Sequence, residues 1–259
     1  MGRHAGCTGA ACLLLAACGV SASTPGYYVS PEEQVPVLEL YTSHGCSSCP
    51  PADTWLRRLA DRPGLWMEFI PLAFHVDYWD SLGWPDRFAS RIYSSRQRQY
   101  RQGGWISSVY TPGFVLGGRE WRGWFRDREP TLSPGSRVGR LSLELNDGPR
   151  ALIRFSPVEA VTPGRLTAHL AILGFGLTTQ VSACENRGRD LEEDFVVLGY
   201  RSSRRSASAS EWEMTLPDVV PVRTTRQAIV AWVSVDVDPT PLQAVAGWLP
   251  SGFNSFQFQ

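Results

Sequence analysis

The sequence contains no lysine, so all 25 of its basic side chains are arginines. This absence excludes a lysine Schiff base for pyridoxal phosphate, a P-loop phosphate site and a lysine general base. An excess of basic charge is also missing, because 25 acidic residues balance the arginines. Nucleic-acid-binding domains are usually basic, so nucleic acid is not expected as a partner. With 43% hydrophobic residues, the 259-residue chain is expected to fold around a buried core.

The N-terminal segment has the pattern of an export signal. Arg3 supplies a positive charge, and residues 10–17 form an apolar run that is too short to span a bilayer. The run ends at Cys18 in the sequence Leu-Ala-Ala-Cys, which resembles the lipobox of bacterial lipoproteins. Ordinary cleavage after residues 20–22 is the alternative. Residues 1–18 are therefore predicted to be a leader, and the mature protein a periplasmic lipoprotein anchored through Cys18 or a soluble periplasmic protein.

The rest of the chain divides by its hydrophobic pattern. Residues 19–35 are polar and are predicted to be a linker. Residues 36–130 alternate strand and helix patterns, which is typical of an α/β domain with parallel strands. Residues 131–259 instead show apolar residues at period two between Pro and Gly turns, which favours an all-β, sandwich-like second domain. In the first domain, strands are predicted at 37–41, 66–74 and 114–116, and helices from residue 50 and at 86–102.

Cysteine is scarce outside the leader, where Cys46, Cys49 and Cys184 remain. An odd number excludes a scaffold of several disulfides. Cys46 and Cys49 form a C-x-x-C pair that follows a predicted strand and opens a predicted helix. Backbone N–H groups and the macrodipole of that helix are expected to lower the pKa of Cys46. Cys46 would then attack a disulfide, and Cys49 would resolve the mixed disulfide.

Other uses of the pair remain open at this point. The two cysteines can form a structural disulfide, since an exported pair can simply stay oxidised. They can form half of a zinc site, although no second C-x-x-C follows. They can also bind Cu(I) with a histidine as third ligand. Cys184 has no neighbouring thiol in the sequence and is expected to be buried and inert.

Three motifs resemble one known family. They are the sequence around CSSCPPAD at residues 37–53, FHVDYWD at residues 74–80, and VYTP at residues 109–112. The ENRGR sequence at residues 185–189 is similar to the β-rich tail of the same family. Together they resemble an exported bacterial thioredoxin-like family that is known only as a domain of unknown function. The resemblance covers roughly residues 36–250 and implies a thioredoxin-like fold for the α/β domain, but no settled activity.

The resemblance assigns expectations to individual residues. It implies that Pro112, preceded by Thr111, is a cis-proline opposite the dithiol that presents a backbone edge to the substrate; an ordinary strand-entry proline is the alternative. Thioredoxins bury a carboxylate at the position of Leu40, whereas this chain has Glu39 one residue earlier. Because a shift of one residue moves a side chain to the opposite face of the sheet, a structural Glu39 is as plausible as a proton-transferring one.

The second motif contributes a polar and aromatic cluster. Because parallel strands end at one edge of a sheet, the residues after the second strand are expected near the dithiol. His75 is predicted to relay a proton, with Asp77 orienting its ring. Tyr78 and Trp79 are predicted to line a groove for an extended peptide. The alternative is a loop-anchoring His75 with core aromatics, and His44 is expected to be an exposed turn residue.

The sequence therefore predicts an exported thiol–disulfide oxidoreductase that acts on cysteine-containing exported proteins. Such an enzyme needs a redox partner that recycles the dithiol, and it needs no dissociable cofactor and no metal. One alternative is a metallochaperone that holds Cu(I) between Cys46, Cys49 and His75. The other is a non-catalytic binding module with a structural disulfide.

Overall fold

A computed structural model describes residues 1–2, 26–130, 135–146, 148–159, 164–205 and 210–250. The predicted lipidation site, Cys18, lies outside these ranges. Within them the chain forms fourteen strands, two α-helices and three short 3-10 helices. No helix in these ranges is long and apolar enough to cross a membrane.

All helices of the described ranges lie before residue 130. The strands are β1 (Tyr27–Val29), β2 (Val37–Thr42), β3 (Ile70–His75), β4 (Gly113–Leu116), β5 (Arg119–Glu120), β6 (Gly139–Leu145), β7 (Arg150–Pro157), β8 (Leu166–Phe175), β9 (Leu177–Gln180), β10 (Asp190–Glu193), β11 (Val196–Arg204), β12 (Glu211–Thr215), β13 (Arg226–Val235) and β14 (Pro241–Trp248). The α-helices are α1 (Pro50–Arg57) and α2 (Arg91–Gln102), and the 3-10 helices are Arg58–Asp61, Asp77–Leu82 and Gly123–Arg126.

Eight strands form one sheet in the order β14-β13-β8-β11-β3-β2-β4-β5. β2 and β3 are parallel, as expected for strands joined through a helix, and Leu40 pairs with Ala73. β11 joins the other side of β3, also in parallel, with Val196 opposite Ala73. The remaining neighbours in this sheet are antiparallel. The sheet therefore combines strands from before and after residue 130.

The predicted fold class is wrong. The chain is not a thioredoxin-like α/β domain followed by a separate β-sandwich, because strands predicted for both domains belong to the same sheet. Strands also far outnumber helices in the described ranges. The physical reason is the free edge of β3. β11 pairs with that edge in parallel at Ala73 and Val196, and the periodicity of a strand does not specify its partner.

A second sheet covers one face of the first. It has the order β1-β6-β7-β12, and β1 lies within the segment that was predicted to be a linker. The reason is that Tyr28 pairs with Leu143 and its hydroxyl donates to the carbonyl of Trp248. Between the sheets, Trp212 and Ile153 pack with Ile229 and other buried apolar residues of β8, β13 and β14. This core lies away from the cysteine pair.

Local sequence signals explain where each α-helix begins. Pro50 and Pro51 occupy the first positions of α1, where a missing N–H costs nothing. α2 begins at Arg91, later than predicted, because the hydroxyl of Ser90 accepts a hydrogen bond from the N–H of Ile92 and caps the helix. The residues before this cap form a turn, which carries Asp86 toward the ends of β2 and β3.

Candidate functional site

Cys46 and Cys49 are joined by a disulfide in the loop between β2 and α1, with 5.5 Å between their Cα atoms. The two side chains are buried, with 1% and 0% of their surfaces exposed, whereas the intervening Ser47 and Ser48 are exposed. A small molecule therefore meets the serines before it meets the sulfurs.

The expected amide cap on the Cys46 sulfur does not form. Two of the N–H groups that would supply it are missing, because Pro50 and Pro51 open the helix. The N–H of Cys49 donates to the carbonyl of Cys46 at 3.1 Å, and that of Cys46 donates to the carbonyl of Ser43 at 3.2 Å. The polar neighbour of the Cys46 sulfur is instead the hydroxyl of Ser48, at 3.3 Å.

The backbone around the disulfide is bound by the segment between β9 and β10, residues 181–189, which we call the β9–β10 loop. The buried side-chain amide of Asn186 donates to the carbonyls of His44 and Cys46, at 2.9 and 2.8 Å. The carboxylate of Glu185 accepts the N–H of Ser47 at 2.9 Å. These three hydrogen bonds hold the loop against the backbone of the C-x-x-C pair.

A buried carboxyl group, Asp53, lies on α1 one turn after Cys49. Its N–H donates to the carbonyl of Cys49 at 3.1 Å, and its side chain accepts from the hydroxyl of Thr42 at 3.1 Å. Burial and then the nearby charge of Glu193 raise the pKa of Asp53 to about 7. Asp53 was not selected from the sequence as a site residue, although the spacing of four residues on a helix places it on the same face as Cys49.

Two histidines and two carboxylates form a buried cluster at the ends of β2 and β3. Asp86 accepts the Nδ1–H of His75 at 2.7 Å, and its other oxygen lies 3.1 Å from Nδ1 of His44. The carboxylate of Glu193 lies 2.8 Å from Nε2 of His44 and 3.5 Å from Nε2 of His75. His44 was expected to be an exposed turn residue, but it is 1% exposed because β10 carries Glu193 against it.

The carboxylates dominate the electrostatics of this cluster. Desolvation alone would lower the pKa of His44, but hydrogen bonds to Asp86 and Glu193 raise it to about 10. Desolvation likewise opposes a raised pKa at His75, and the charges of Asp86 and Glu193 outweigh it. For Asp86, burial raises the pKa, but the two histidines hold it well below its usual range. The two carboxylates therefore favour the protonated form of both imidazoles.

The predicted partner of His75 is wrong. Asp77 was predicted to orient the imidazole, but its carboxylate accepts a hydrogen bond from the hydroxyl of Ser94. The backbone N–H of Asp77 donates to the oxygen of that hydroxyl at 3.1 Å. The residue that orients His75 is Asp86. Asp77 does not reach His75 because the chain turns into a 3-10 helix, Asp77–Leu82, just after β3.

The aromatic residues of the second motif connect to the third. The indole N–H of Trp79 donates to the hydroxyl of Thr111 at 2.8 Å, and the peptide bond between Thr111 and Pro112 is cis. Trp79 also packs beside Gly45, where an added Cβ atom would lie 3.2 Å from the Trp79 Cβ. The half-buried Tyr78 donates its hydroxyl to the side chain of Gln97 at 3.2 Å. Trp79 thus links Thr111 to the residue that precedes Cys46.

Glu39 and Cys184 lie apart from this chemistry. Glu39 is buried and makes two hydrogen bonds with the guanidinium of Arg96, at 2.8 and 2.7 Å, which are contacts of a structural ion pair. Cys184 was expected to be buried, but it lies in the β9–β10 loop with an intermediate exposure, and its thiol donates to the carbonyl of Leu82 at 2.9 Å.

The chain belongs to the family described as a protein of unknown function, DUF1223, whose sequence profile matches residues 37–234. No curated protein is significantly similar to the chain. The comparison therefore establishes the family of the chain but not its function.

Two solved structures are similar to this one. A crystal structure from a structural genomics consortium, of an Agrobacterium tumefaciens protein, has a TM-score of 0.57 and 25% sequence identity, over 86% of this chain and 97% of that one. HBP35 of Porphyromonas gingivalis has a TM-score of 0.54 and 13% identity, over 86% of this chain and 78% of that one. At 13% identity the second similarity concerns the fold alone.

Proposed function

We propose that this protein catalyses thiol–disulfide exchange at Cys46 and Cys49. The observation that carries the proposal is the position of this disulfide one helical turn before Asp53, a buried carboxyl group whose pKa is raised to about 7. Breaking a disulfide releases a thiolate that needs a proton, and a carboxylic acid with a pKa near neutrality can supply one.

A purely stabilising role explains this disulfide poorly. The two cysteines are three residues apart in sequence, so their bond closes a very small loop. On the chain-entropy relation such a loop contributes about 2 kcal/mol, against about 4.7 kcal/mol for a loop of about 100 residues. The apolar core between the two sheets contains neither cysteine.

The exchange starts from the oxidised protein and a substrate dithiol. A substrate thiolate attacks the Cys46 sulfur, which lies beside the exposed serines, and the bond to Cys49 breaks. Cys49 leaves as a thiolate, and we assign Asp53 as the group that protonates it; a proton that the substrate dithiol has released to water then restores Asp53. The second substrate thiolate then attacks the substrate sulfur of the mixed disulfide, and Cys46 leaves as a thiolate that water protonates.

In this sequence the substrate loses two electrons and two protons and becomes a disulfide, while the cysteine pair gains both and becomes a dithiol. The same steps in reverse reduce a substrate disulfide. A second dithiol–disulfide protein must recycle the pair. We propose cysteine-containing exported proteins as substrates, because the predicted leader takes the chain to an oxidising compartment.

The test compares the oxidised protein with three single variants, Cys46→Ser, Cys49→Ser and Cys184→Ser. The assays are reduction of insulin with dithiothreitol and oxidation of a reduced dithiol peptide. The wild type and Cys184→Ser should be active, Cys46→Ser inactive, and Cys49→Ser should accumulate a mixed disulfide through Cys46. Rates for the wild type that equal those of Cys46→Ser in both assays would overturn the proposal.

A further inference from the structure

We propose that His44, His75 and Glu193 form a binding site for one Zn²⁺ ion. The three side chains come from the end of β2, the end of β3 and the end of β10, and all are buried. One ligand atom from each lies within 4.8 Å of the other two. The site does not include the cysteine pair, but Glu193 also raises the pKa of Asp53, so the test below measures metal uptake and not exchange activity.

The spacing of the ligand atoms suits a tetrahedral ion. Zn²⁺ bonds of about 2.0–2.1 Å to nitrogen and oxygen place neighbouring ligand atoms about 3.3 Å apart. Nε2 of His44 lies 2.8 Å from one oxygen of Glu193, and Nε2 of His75 lies 3.5 Å from the other. Small rotations of these side chains would open the space for the ion without moving the strands.

Asp86 contacts both imidazoles of this site. Its two oxygens lie 2.7 Å from Nδ1 of His75 and 3.1 Å from Nδ1 of His44. The hydrogen bond to Nδ1 fixes the ring of His75 and leaves its Nε2 as the ligand atom, which is the usual outer arrangement of zinc-bound histidines, whereas Nδ1 of His44 makes an ion-pair contact with Asp86 without the geometry of a good hydrogen bond. Asp86 is itself fixed by the N–H groups of His44 and Phe88, at 2.9 and 3.0 Å.

An independent observation points to a ligand at this place. The Nε2 atom of His75 is buried and has no hydrogen-bond partner among the described residues, although its side chain is only 1% exposed. A buried polar atom without a partner is unfavourable, and native proteins rarely leave one. A metal ion beside Glu193 would replace the proton on this nitrogen and bind its lone pair, so that metal uptake should release protons and weaken at low pH.

The donor set also selects the kind of ion. Two imidazoles and one carboxylate suit Zn²⁺, with a fourth position left for water or another ligand, whereas Cu(I) prefers thiolates. Asp86 and Glu193 together balance the charge of a divalent cation. The described polar contacts of the His75 imidazole are with Asp86 and Glu193 and not with a sulfur, which disfavours the alternative Cu(I) site at Cys46, Cys49 and His75.

The test uses the oxidised full chain with the substitutions Cys7→Ser, Cys12→Ser, Cys18→Ser and Cys184→Ser, so that no free thiol can bind metal. After dialysis against a chelator, Zn²⁺ uptake is measured by calorimetry and native mass spectrometry, and Co²⁺ uptake by visible absorption. One ion per chain is expected, with the absorption of a tetrahedral Co²⁺ site and without a thiolate charge-transfer band. Binding of Zn²⁺ should also raise the Tm.

Variants then assign the ligands. Glu193→Gln and His75→Gln should abolish stoichiometric uptake, and Asp86→Asn should weaken it by about 10- to 100-fold. His169→Gln, which changes a buried histidine outside the cluster, is the matched control and should bind as the wild type does. The proposal is overturned if the folded parent protein takes up no stoichiometric Zn²⁺, if its Co²⁺ complex shows a thiolate band, or if folded Glu193→Gln binds normally.

Discussion

The side-chain amide of Asn186 donates to the main-chain carbonyl of Cys46 at 2.8 Å, across 140 residues of sequence. The same amide group donates to the carbonyl of His44 at 2.9 Å. Since Asn186 is fully buried, it cannot be moved without exposing the backbone of the C-x-x-C pair. We therefore expect access to the disulfide to depend on the position of the β9–β10 loop.

Replacing Asn186 with alanine should speed the reduction of the disulfide. The variant loses the hydrogen bond from Arg189 and the two hydrogen bonds to the backbone of the C-x-x-C segment, of which the latter two each contribute about 0.5–1.5 kcal/mol. A loss of this size corresponds to a rate increase of roughly fivefold to 100-fold if reduction requires the loop to open. The measurement is a time course with a small phosphine reductant, followed by alkylation and mass spectrometry.

Gln180→Ala is the matched control, because Gln180 is exposed on β9 in the same hairpin. Its rate should equal that of the wild type. If Asn186→Ala also reacts at the wild-type rate, the reductant reaches the sulfurs without movement of the loop.

Replacing Asp53 with asparagine should change how stability depends on pH. The pKa of Asp53 is raised from 3.8 to about 7 in the folded protein, by burial and by Glu193, against the opposing charges of His75 and His44. Between these values the folded state holds a proton that the unfolded state has released, so folding loses stability as pH rises. Below about pH 4 and above about pH 7 this contribution is constant.

The free energy of unfolding in urea, measured with a chelator from pH 4 to 9, tests this expectation. Asp53→Asn should gain stability relative to the wild type as pH rises to about 7, and the difference should then level off. Asp61→Asn, at an exposed position after the same helix, is the control. A difference that does not vary with pH would contradict the assignment of Asp53 as the titrating group.

Trp79 and Thr111 should be energetically coupled, since the indole N–H donates to the threonine hydroxyl at 2.8 Å. We expect a coupling of about 0.5–1.5 kcal/mol between Trp79→Phe and Thr111→Val in a double-mutant cycle of urea unfolding. Strict additivity of the two changes would show that the hydrogen bond contributes nothing to stability.

Replacing Arg96 with methionine should destabilise the protein by about 3–5 kcal/mol, because it leaves the buried carboxylate of Glu39 without its charged partner. Arg150→Met breaks an exposed ion pair with Glu213 and should change the stability little. Urea unfolding of both variants makes the comparison. Equal effects would mean that Glu39 finds another partner, such as a proton.

The sequence located most of the N-terminal elements, because alternation and helix signals are local. β2, β3 and β4 lie within a few residues of their predicted positions, and α1 begins at Pro50 as expected. The sheet was not predictable in the same way. The pairing of Ala73 with Val196 joins strands more than 100 residues apart. The hydrophobic periodicity of a strand does not identify which strand it pairs with.

The candidate site divides along the same line. Cys46 and Cys49 were predictable as a pair, because their spacing and the following prolines are local features. Asp77 was chosen to orient His75 for its nearness in sequence, but the chain turns away at Asp77 and returns with Asp86. Glu193 reaches the histidines only through the pairing of β10 and β9, which has no local signal.

The hydrogen bond from the N–H of Ala73 to the carbonyl of Phe195, at 2.9 Å, has a consequence for any attempt to divide this chain. A fragment that stops at residue 130 would leave one side of β3 bare and prone to self-association. It would also lack Asn186 and Glu193. The segments before and after residue 130 therefore need each other to fold. We expect the two fragments to assemble when they are co-expressed, and the N-terminal fragment to aggregate when it is expressed alone.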